Sequence, residues 1–246
     1  MIRIFNDLEA LSLAAAEMFV DMANQAIASR GRFSVALSGG NTPRRLYEIL
    51  ANTSIRERIH WESVHVFWGD ERCVPADNPR SNTRMARKIL LDQVPVPANQ
   101  IHPIQGDLSP ALAATQYETE LRDFFGDQPP VLDLVLLGLG ANAHTASLFP
   151  HTSVLDEKKH WVKEVYVAEQ SMYRVTLTAP LINQASEVIF LVSGADKATA
   201  LQSVLEGAYH PHDYPAQLIQ PNGTHPIWFV DKAAAHKLIP ETVEPA

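Results

Sequence analysis

Short apolar runs of strand length alternate with helical patterns along most of this 246-residue chain. In the helical segments the apolar residues recur every three or four positions, and glycine-containing turns separate the segments. This alternation indicates a parallel sheet, because parallel neighbours need long crossover connections and are buried on both faces. We therefore predict a doubly wound α/β fold, in which a mostly parallel sheet carries helices on both faces.

The predicted elements fill a single domain over residues 1–246, and residues 240–246 are expected to form a flexible tail. Asp7 is placed to cap the first helix, and Gly31 is placed to end it. The predicted helices cover 8–30, 44–50, 82–91 and 195–205, and the predicted strands cover 33–37, 64–68, 132–137, 161–167, 173–177, 187–192 and 227–230.

Composition and charge narrow the classes of function. The formal net charge of −8 at pH 7 argues against nonspecific nucleic-acid binding, but it allows a local cationic pocket for a phosphorylated ligand. The single cysteine, Cys73, cannot form an intrachain disulfide, and paired cysteines for a zinc site are lacking. No apolar run is long enough to span a bilayer, and the first residues lack a secretory signal pattern. We expect a cytoplasmic protein.

His144 is the most informative residue. It follows the apolar run 132–137 and a glycine-containing turn, so the pattern predicts a strand that delivers an imidazole to the beginning of a helix at 145–147. Open α/β sheets carry their chemistry at this edge. Imidazole titrates near neutrality and suits a general base. Taken alone, a capping or core histidine explains the same pattern.

Three other strand ends carry groups suited to an anion. The loop 38–43 (Ser-Gly-Gly-Asn-Thr-Pro) can bring backbone amides to a phosphate at a helix N-terminus, although it lacks P-loop and dinucleotide-binding spacing. The segment Gly-Asp-Glu-Arg at 69–72 supplies Asp70 and Arg72, and Lys197 follows a later strand. An ordinary turn, a structural ion pair and a surface lysine are the alternative interpretations.

Metal and serine-hydrolase chemistry are poorly supported. His210, His212 and Asp213 lie in a proline-containing loop, and the pattern His-Glu-x-x-His is missing. The Gly-x-Ser-x-Gly elbow of α/β-hydrolases is missing as well. We therefore predict neither a metal nor a cofactor.

Taken together, the motifs resemble the 6-phosphogluconolactonase family across nearly the whole chain. The resemblance rests on Ser-Gly-Gly-Asn-Thr-Pro at 38–43, Gly-Asp-Glu-Arg at 69–72 with Ser-Asn at 81–82, His-Thr-Ala-Ser-Leu-Phe-Pro at 144–150, and Ser-Gly-Ala-Asp-Lys at 193–197. It implies the fold shared with glucosamine-6-phosphate deaminases and ribose-5-phosphate isomerases. It also implies cofactor-free hydrolysis of 6-phosphoglucono-δ-lactone in the pentose phosphate pathway.

Two segments separate this chain from the deaminases, which typically have Asp-Glu-Tyr where this chain has Asp-Glu-Arg at 70–72, and Ile-Ala-Phe-Asn-Glu-Pro where it has 145–150. One position departs from the family pattern, which usually reads Asp-Gly-His before the helix. Here Asn142 and Ala143 precede His144, so an amide stands where a carboxylate is usual. Such an amide can orient a hydrogen bond but cannot stabilise an imidazolium by charge.

Our hypothesis assigns catalysis to His144, Arg72 and Asp70. His144 removes a proton from the water that attacks C1, Arg72 stabilises the developing oxyanion or binds phosphate, and Asp70 orients Arg72 or the sugar hydroxyls. The predicted substrate-binding residues are Ser38, Gly39, Gly40, Asn41, Thr42, Arg44, Asn142 and Lys197. The expected partner is a small phosphorylated sugar lactone, without nucleic acid or membrane, and the expected assembly is a monomer or weak homo-oligomer.

Two alternatives stay open at this point. A sugar-phosphate isomerase or deaminase needs a carboxylate to move a proton at C2, and Asp70 could supply it. A noncatalytic sugar-phosphate sensor would keep the phosphate loop without the base, and Asn142 is compatible with that interpretation.

Overall fold

Two sheets contain all the strands in the residues that the computed structural model describes, 1–221 and 225–239. The strands are β1 (Ile2–Phe5), β2 (Phe33–Leu37), β3 (Val64–Trp68), β4 (Asp70–Arg72), β5 (Leu134–Gly138), β6 (Val162–Val167), β7 (Met172–Leu177), β8 (Glu187–Val192) and β9 (Ile227–Asp231). The α-helices are α1 (Leu8–Arg30), α2 (Asn41–Leu50), α3 (Thr53–Arg56), α4 (Asn82–Ala86), α5 (Pro110–Phe125), α6 (Ala179–Ile182), α7 (Ala198–Leu205) and α8 (Lys232–Ala235).

The larger sheet is parallel throughout and has the order β1-β9-β8-β5-β2-β3. Every residue of β2 is buried, and β5 and β8 are buried over nearly their whole length, as expected for strands that are covered on both faces. The chain winds from β2 to β3 in one direction and from β5 through β8 to β9 in the other. The winding therefore reverses between β2 and β5, where such sheets open a crevice at their carboxyl ends. The predicted α/β class is confirmed.

The smaller sheet is antiparallel, with the order β4-β7-β6. The runs 161–167 and 173–177, predicted as strands, therefore belong to this second sheet. A short turn joins β6 to β7, and antiparallel pairing is the arrangement that such a turn allows. Because β4 follows β3 almost directly, the second sheet places β7 beside the carboxyl end of the first sheet.

Several elements differ from the pattern-based prediction. Strands β1 and β4 and helix α5 have no counterpart among the predicted elements, and the predicted helix at 82–91 is α4 continued by the π-helical turn Arg87–Leu91. The helix predicted after His144 is wrong: turns occupy this segment, and Ala143 and Ala146 have φ of 61° and 46°. The predicted tail, 240–246, lies outside the described residues.

Local capping explains the position of the longest helix. The Asp7 side chain accepts a hydrogen bond from the Ala10 backbone N–H at 2.9 Å, and Gly31 ends α1 with φ of 74°, a conformation that costs glycine little. Within the described residues, no helix combines the length and apolar character needed to cross a membrane.

Candidate active site

A cavity of about 380 Å³ opens at the carboxyl ends of the central parallel strands. The loops that follow β2, β5 and β8 line it, together with side chains from β4 and β7. Its polar lining consists of Ser38, Asn41, Thr42, Asp70, Arg72, Asn82, His144, Arg174, Ser193, Asp196 and Lys197. Segments that are far apart in the sequence therefore meet in one crevice at the reversal point of the sheet.

His144 is held in one orientation and one tautomer. Its Nδ1 lies 2.5 Å from Asn142 Oδ1, and because an amide oxygen only accepts, Nδ1 carries the proton. The other ring nitrogen, Nε2, makes no hydrogen bond within residues 1–221 and 225–239, so its lone pair stays available. The ring stacks on Phe149 with centroids 4.0 Å apart.

Gly140 makes room for this imidazole. A Cβ atom built at this position would lie 2.1 Å from His144 Nδ1, far inside contact distance. The backbone also closes around the histidine, since Gly140 N–H donates to the His144 carbonyl at 2.8 Å and Ala143 N–H donates to the Gly140 carbonyl at 2.9 Å. The requirement for glycine in this turn is therefore steric.

Burial lowers the pKa of His144 to about 4. Loss of hydration disfavours the imidazolium, and the positive charges of Arg174, Lys197 and Arg72 act in the same direction, whereas Asp70 opposes them. The imidazole is consequently neutral at pH 7 and able to accept a proton.

Asp70 is buried and heavily hydrogen-bonded. Its Oδ2 accepts from Ser147 Oγ at 2.6 Å and from Arg174 Nη1 at 3.3 Å, and its Oδ1 accepts from Asn82 Nδ2 at 3.2 Å. The neighbouring Glu71 points away from the cavity and accepts the backbone N–H groups at the beginning of α4. Only one of the two adjacent carboxylates therefore faces the crevice.

Two guanidinium groups present unused donors. Arg72 Nη1 donates to the Arg80 carbonyl, and Arg174 Nη2 donates to Gln170 Oε1. The Nε atoms of Arg72 and Arg174 are buried and have no hydrogen-bond partner within the described part of the chain. Burial of an unpaired donor is unfavourable, so both guanidinium groups are held beside the cavity at some cost in stability. Burial also lowers the pKa of Arg174, although this residue keeps its charge at neutral pH.

The glycine loop is arranged for an anion. Gly40 has φ of 100° and precedes α2, whose beginning has no side-chain cap, so the first amides of this ten-residue helix remain open. Gly39 packs against Asn82, because a Cβ atom there would lie 2.0 Å from Asn82 Oδ1. Tyr47 anchors the loop: its hydroxyl donates to the Ser38 carbonyl at 2.7 Å and accepts from the Ser38 N–H at 3.0 Å.

The structure brings most of the predicted site residues together. Those that line the cavity are Ser38, Gly39, Gly40, Asn41, Thr42, Asp70, Arg72, His144 and Lys197. Asn142 lies behind His144 rather than in the lining. Arg44 is outside the cavity: its side chain is 56% exposed and pairs with Glu48 at 3.4 Å, because the second turn of α2 points it to solvent.

Arg174 is the main site residue that the motifs did not reveal. It is 6% exposed and lies in β7, which pairs with β4 so that Arg72 and Arg174 are directly opposite each other. The only signal in the sequence is a charged residue inside an apolar strand pattern, since buried charges need a partner or a function. Lys197 pairs with Asp196 at 3.0 Å at the rim of the cavity.

Metal ligands do not converge in the described residues, where no group of three or more His, Cys, Asp or Glu side chains could hold an ion. Two of the loop residues considered above form separate pairs with other side chains: His212 lies 3.2 Å from Asp156, and Asp213 lies 3.3 Å from His151.

Comparisons with known proteins agree on one family. The family model described as "Glucosamine-6-phosphate isomerases/6-phosphogluconolactonase" matches residues 6–228. The 6-phosphogluconolactonase of Nostoc sp. is 42% identical over 241 residues, covering 96% of this chain and 98% of the relative. That of Synechocystis sp. is 47% identical over 220 residues, covering 88% and 89%. The solved 6-phosphogluconolactonase of Trypanosoma brucei has a TM-score of 0.85 at 29% identity, covering 97% of this chain and 98% of that one.

Proposed function

Because the chain belongs to the family of glucosamine-6-phosphate isomerases and 6-phosphogluconolactonases, we propose that it hydrolyses 6-phosphoglucono-δ-lactone to 6-phosphogluconate, a step of the pentose phosphate pathway. One observation carries the proposal. A neutral imidazole with a free Nε2 shares a single cavity with two guanidinium groups, a lysine and an open helix N-terminus. This combination offers a base and a set of anion-binding donors, the two functions that a phosphorylated lactone requires.

The phosphate of the substrate binds at the glycine loop. Backbone amides at the beginning of α2, the hydroxyls of Ser38 and Thr42, and the charges of Lys197 and Arg174 supply its hydrogen bonds. The sequence-based hypothesis also included Arg44, but the exposed position of that side chain argues against direct contact. Phosphate binding fixes the distance between the loop and the lactone carbonyl, which orients C1 toward His144.

His144 acts as the general base. Its Nε2 takes a proton from water while the water oxygen forms a bond to C1, and the carbonyl oxygen becomes an oxyanion that the Arg72 guanidinium stabilises. When the carbonyl re-forms, the bond between C1 and the ring oxygen breaks, and the imidazolium returns its proton to that oxygen. The products are a carboxylic acid and a hydroxyl in one open chain, so atoms and protons balance.

Binding of the substrate changes the pKa of His144. In the free protein, burial and three neighbouring cations keep the pKa of His144 near 4. A bound phosphate dianion offsets the charges of Arg174 and Lys197, which raises the pKa of His144 toward neutrality. A base whose pKa rises when the substrate binds is stronger at the moment when a proton has to be removed.

The hydrogen bonds of Asp70 distinguish this proposal from an isomerase or deaminase. A base at C2 needs a carboxylate with a lone pair free to face the substrate. The Asp70 carboxylate instead uses both of its oxygens to accept hydrogen bonds from Ser147, Arg174 and Asn82. Asp70 is better suited to hold Arg174 in place than to move a proton.

The test is a hydrolysis assay on the purified protein. Fresh lactone is mixed with protein at constant pH, and the released acid is titrated against spontaneous ring opening. The expected result is acid release proportional to protein concentration, without ammonia release from glucosamine 6-phosphate. Ammonia release would support a deaminase, and tight 6-phosphogluconate binding without lactone turnover would support a sensor.

A further inference from the structure

Two side chains of the turn between β6 and β7 contact residues of the site on the side that faces away from the cavity. This turn, Ala168–Gln170, is a single 3₁₀ turn on the surface. Glu169 Oε2 lies 3.5 Å from Asn142 Nδ2, and Gln170 accepts a hydrogen bond from Arg174. Neither Glu169 nor Gln170 lines the cavity. The turn therefore contacts residues of the site without a path to the substrate.

The orientation of the Asn142 amide decides the tautomer of His144. Asn142 Oδ1 accepts from the ring Nδ1 at 2.5 Å and from the backbone N–H of His144 at 3.3 Å. Rotation of the amide by half a turn would present its NH₂ group to the ring, and Nδ1 would then have to accept. The ring proton would move to Nε2, which would lose the lone pair that the base needs.

An amide needs an orienting partner that a carboxylate does not need. The two oxygens of a carboxylate are equivalent, so either can accept from Nδ1. The oxygen and nitrogen of an amide are not equivalent, and the nitrogen has to find an acceptor on its far side. For Asn142 this acceptor is the Glu169 carboxylate. An ionised carboxylate has no hydrogen to donate, so it can serve only as an acceptor. With the amide reversed, two oxygens would face each other at this contact.

We propose that Glu169 is a positioning residue for His144 and acts through Asn142 in the hydrolysis proposed above. It holds the amide nitrogen outward and the amide oxygen toward the ring. Its negative charge also polarises the amide, which favours the imidazolium that forms during the reaction. Glu169 thereby supplies the negative charge that the Asn142 amide lacks, on the side of the amide that faces away from His144.

A double-mutant cycle tests the coupling. Because Glu169 is exposed, we expect Glu169→Ala, which removes the acceptor for the Asn142 amide nitrogen, to lower kcat roughly two- to fivefold, with KM unchanged. In an Asn142→Asp background the orienting role disappears, since both oxygens of the new carboxylate can accept. There the same Glu169→Ala change should cause no loss. Equal losses in the two backgrounds, or no loss beside Asn142, would overturn the proposal.

Glu164→Ala is the matched control. It removes a carboxylate from the same hairpin, and Glu164 pairs with Lys163 at 3.6 Å rather than with Asn142 or His144. We expect kcat and KM to stay at wild-type values. A loss equal to that of Glu169→Ala would mean that the general charge of the hairpin matters, and this would overturn the specific role of Glu169.

A spectroscopic measurement does not depend on activity. In protein labelled with ¹⁵N-histidine, the His144 signals, assigned by their loss in His144→Gln, report which ring nitrogen carries the proton. We expect the Nδ1–H form in the wild type and a larger share of the Nε2–H form in Glu169→Ala. If the protein lacks lactonase activity, the proposed function fails while this measurement still tests the role of Glu169. An unchanged tautomer in Glu169→Ala would overturn it.

Discussion

His144 and His65 both have their pKa lowered to about 4, chiefly by burial, yet they lie in very different surroundings. His65 is near the amino end of β3, whereas His144 is beyond the carboxyl end of β5. His65 Nδ1 lies 3.2 Å from His102 Nε2, and His102 Nδ1 lies 2.7 Å from Glu120 Oε1. This chain of imidazoles and a carboxylate has the composition of a proton relay.

The surroundings separate the two histidines. His65 and His102 pack among aromatic rings, with the His65 and Phe124 centroids 4.8 Å apart, and neither lines the cavity. His144 faces a cavity that also contains Arg72, Arg174 and Lys197. A lowered histidine pKa is therefore evidence of burial and is not by itself evidence of a catalytic role. A functional role needs, in addition, an open nitrogen and groups able to bind the substrate.

Replacing each of the two histidines with glutamine should affect kcat very differently. His144→Gln should lower kcat by roughly 10² to 10⁴ because the general base is lost, while 6-phosphogluconate binding stays largely intact. His65→Gln should leave kcat within about twofold of the wild type. Lactone hydrolysis and product-binding calorimetry measure both variants. A similar loss of kcat in the two variants would remove the distinction between the two regions.

The second prediction separates the cations around His144. Arg72→Met should lower kcat by roughly 10² to 10³, as expected for loss of an oxyanion donor. Lys197→Met should instead raise KM by roughly tenfold with a smaller effect on kcat, since it removes a phosphate contact. Steady-state kinetics with a background correction gives both constants. The opposite pattern would exchange the roles of the two residues.

The third prediction concerns the space that His144 occupies. Gly140→Ala would place a Cβ atom 2.1 Å from Nδ1, so the ring has to move, and a displacement of about 1 Å can reduce activity roughly 10²-fold. Gly138→Ala is the comparison, because its Cβ atom would come no closer than 4.0 Å to Ser38 Oγ. Its loss of activity should be clearly smaller. Thermal unfolding checks that both variants remain folded, and equal losses would contradict the steric explanation.

The smallest effect concerns stability in acid. A histidine whose pKa is lower in the folded state contributes stability that is present above its unfolded pKa, near 6.5, and is lost as pH falls toward the folded value. For His65 this value is about 4. Between pH 6.5 and 4.5, His65→Phe should therefore lose about 1 kcal/mol less stability than the wild type, a figure reduced because the ring is only half-buried. Urea unfolding at both pH values measures this difference, and parallel losses would contradict it.

Much of the fold could be predicted from local patterns. The strands 33–37, 64–68 and 187–192 form as their apolar runs indicate, and they bring their loops to one edge because parallel strands share a direction. Strand β4 has only three residues, too few for a periodic signal. The pairing of β4 with β7 joins Asp70 to Thr176 and Arg72 to Arg174, a separation in sequence that no local pattern encodes.

The site residues also divide into those that local patterns predict and those that depend on long-range pairing. The residues that follow the strands could be predicted, but Arg174 reaches the cavity only through the pairing of β7 with β4. The helix predicted after His144 does not form, because tertiary contacts outweigh the local preference: Ser147 is fully buried and donates to Asp70. Similarly, the contact of Glu169 with Asn142 spans 27 positions and depends on where the hairpin turn ends.

A crystal structure with bound 6-phosphogluconate would show how the sugar phosphate lies in the cavity. We expect the phosphate on the backbone amides of the loop 38–42, within reach of Lys197. We also expect the C1 carboxylate within hydrogen-bonding distance of His144 Nε2 and Arg72. A ligand bound in the reverse direction, with its phosphate against His144, or bound outside this cavity, would contradict the proposed function.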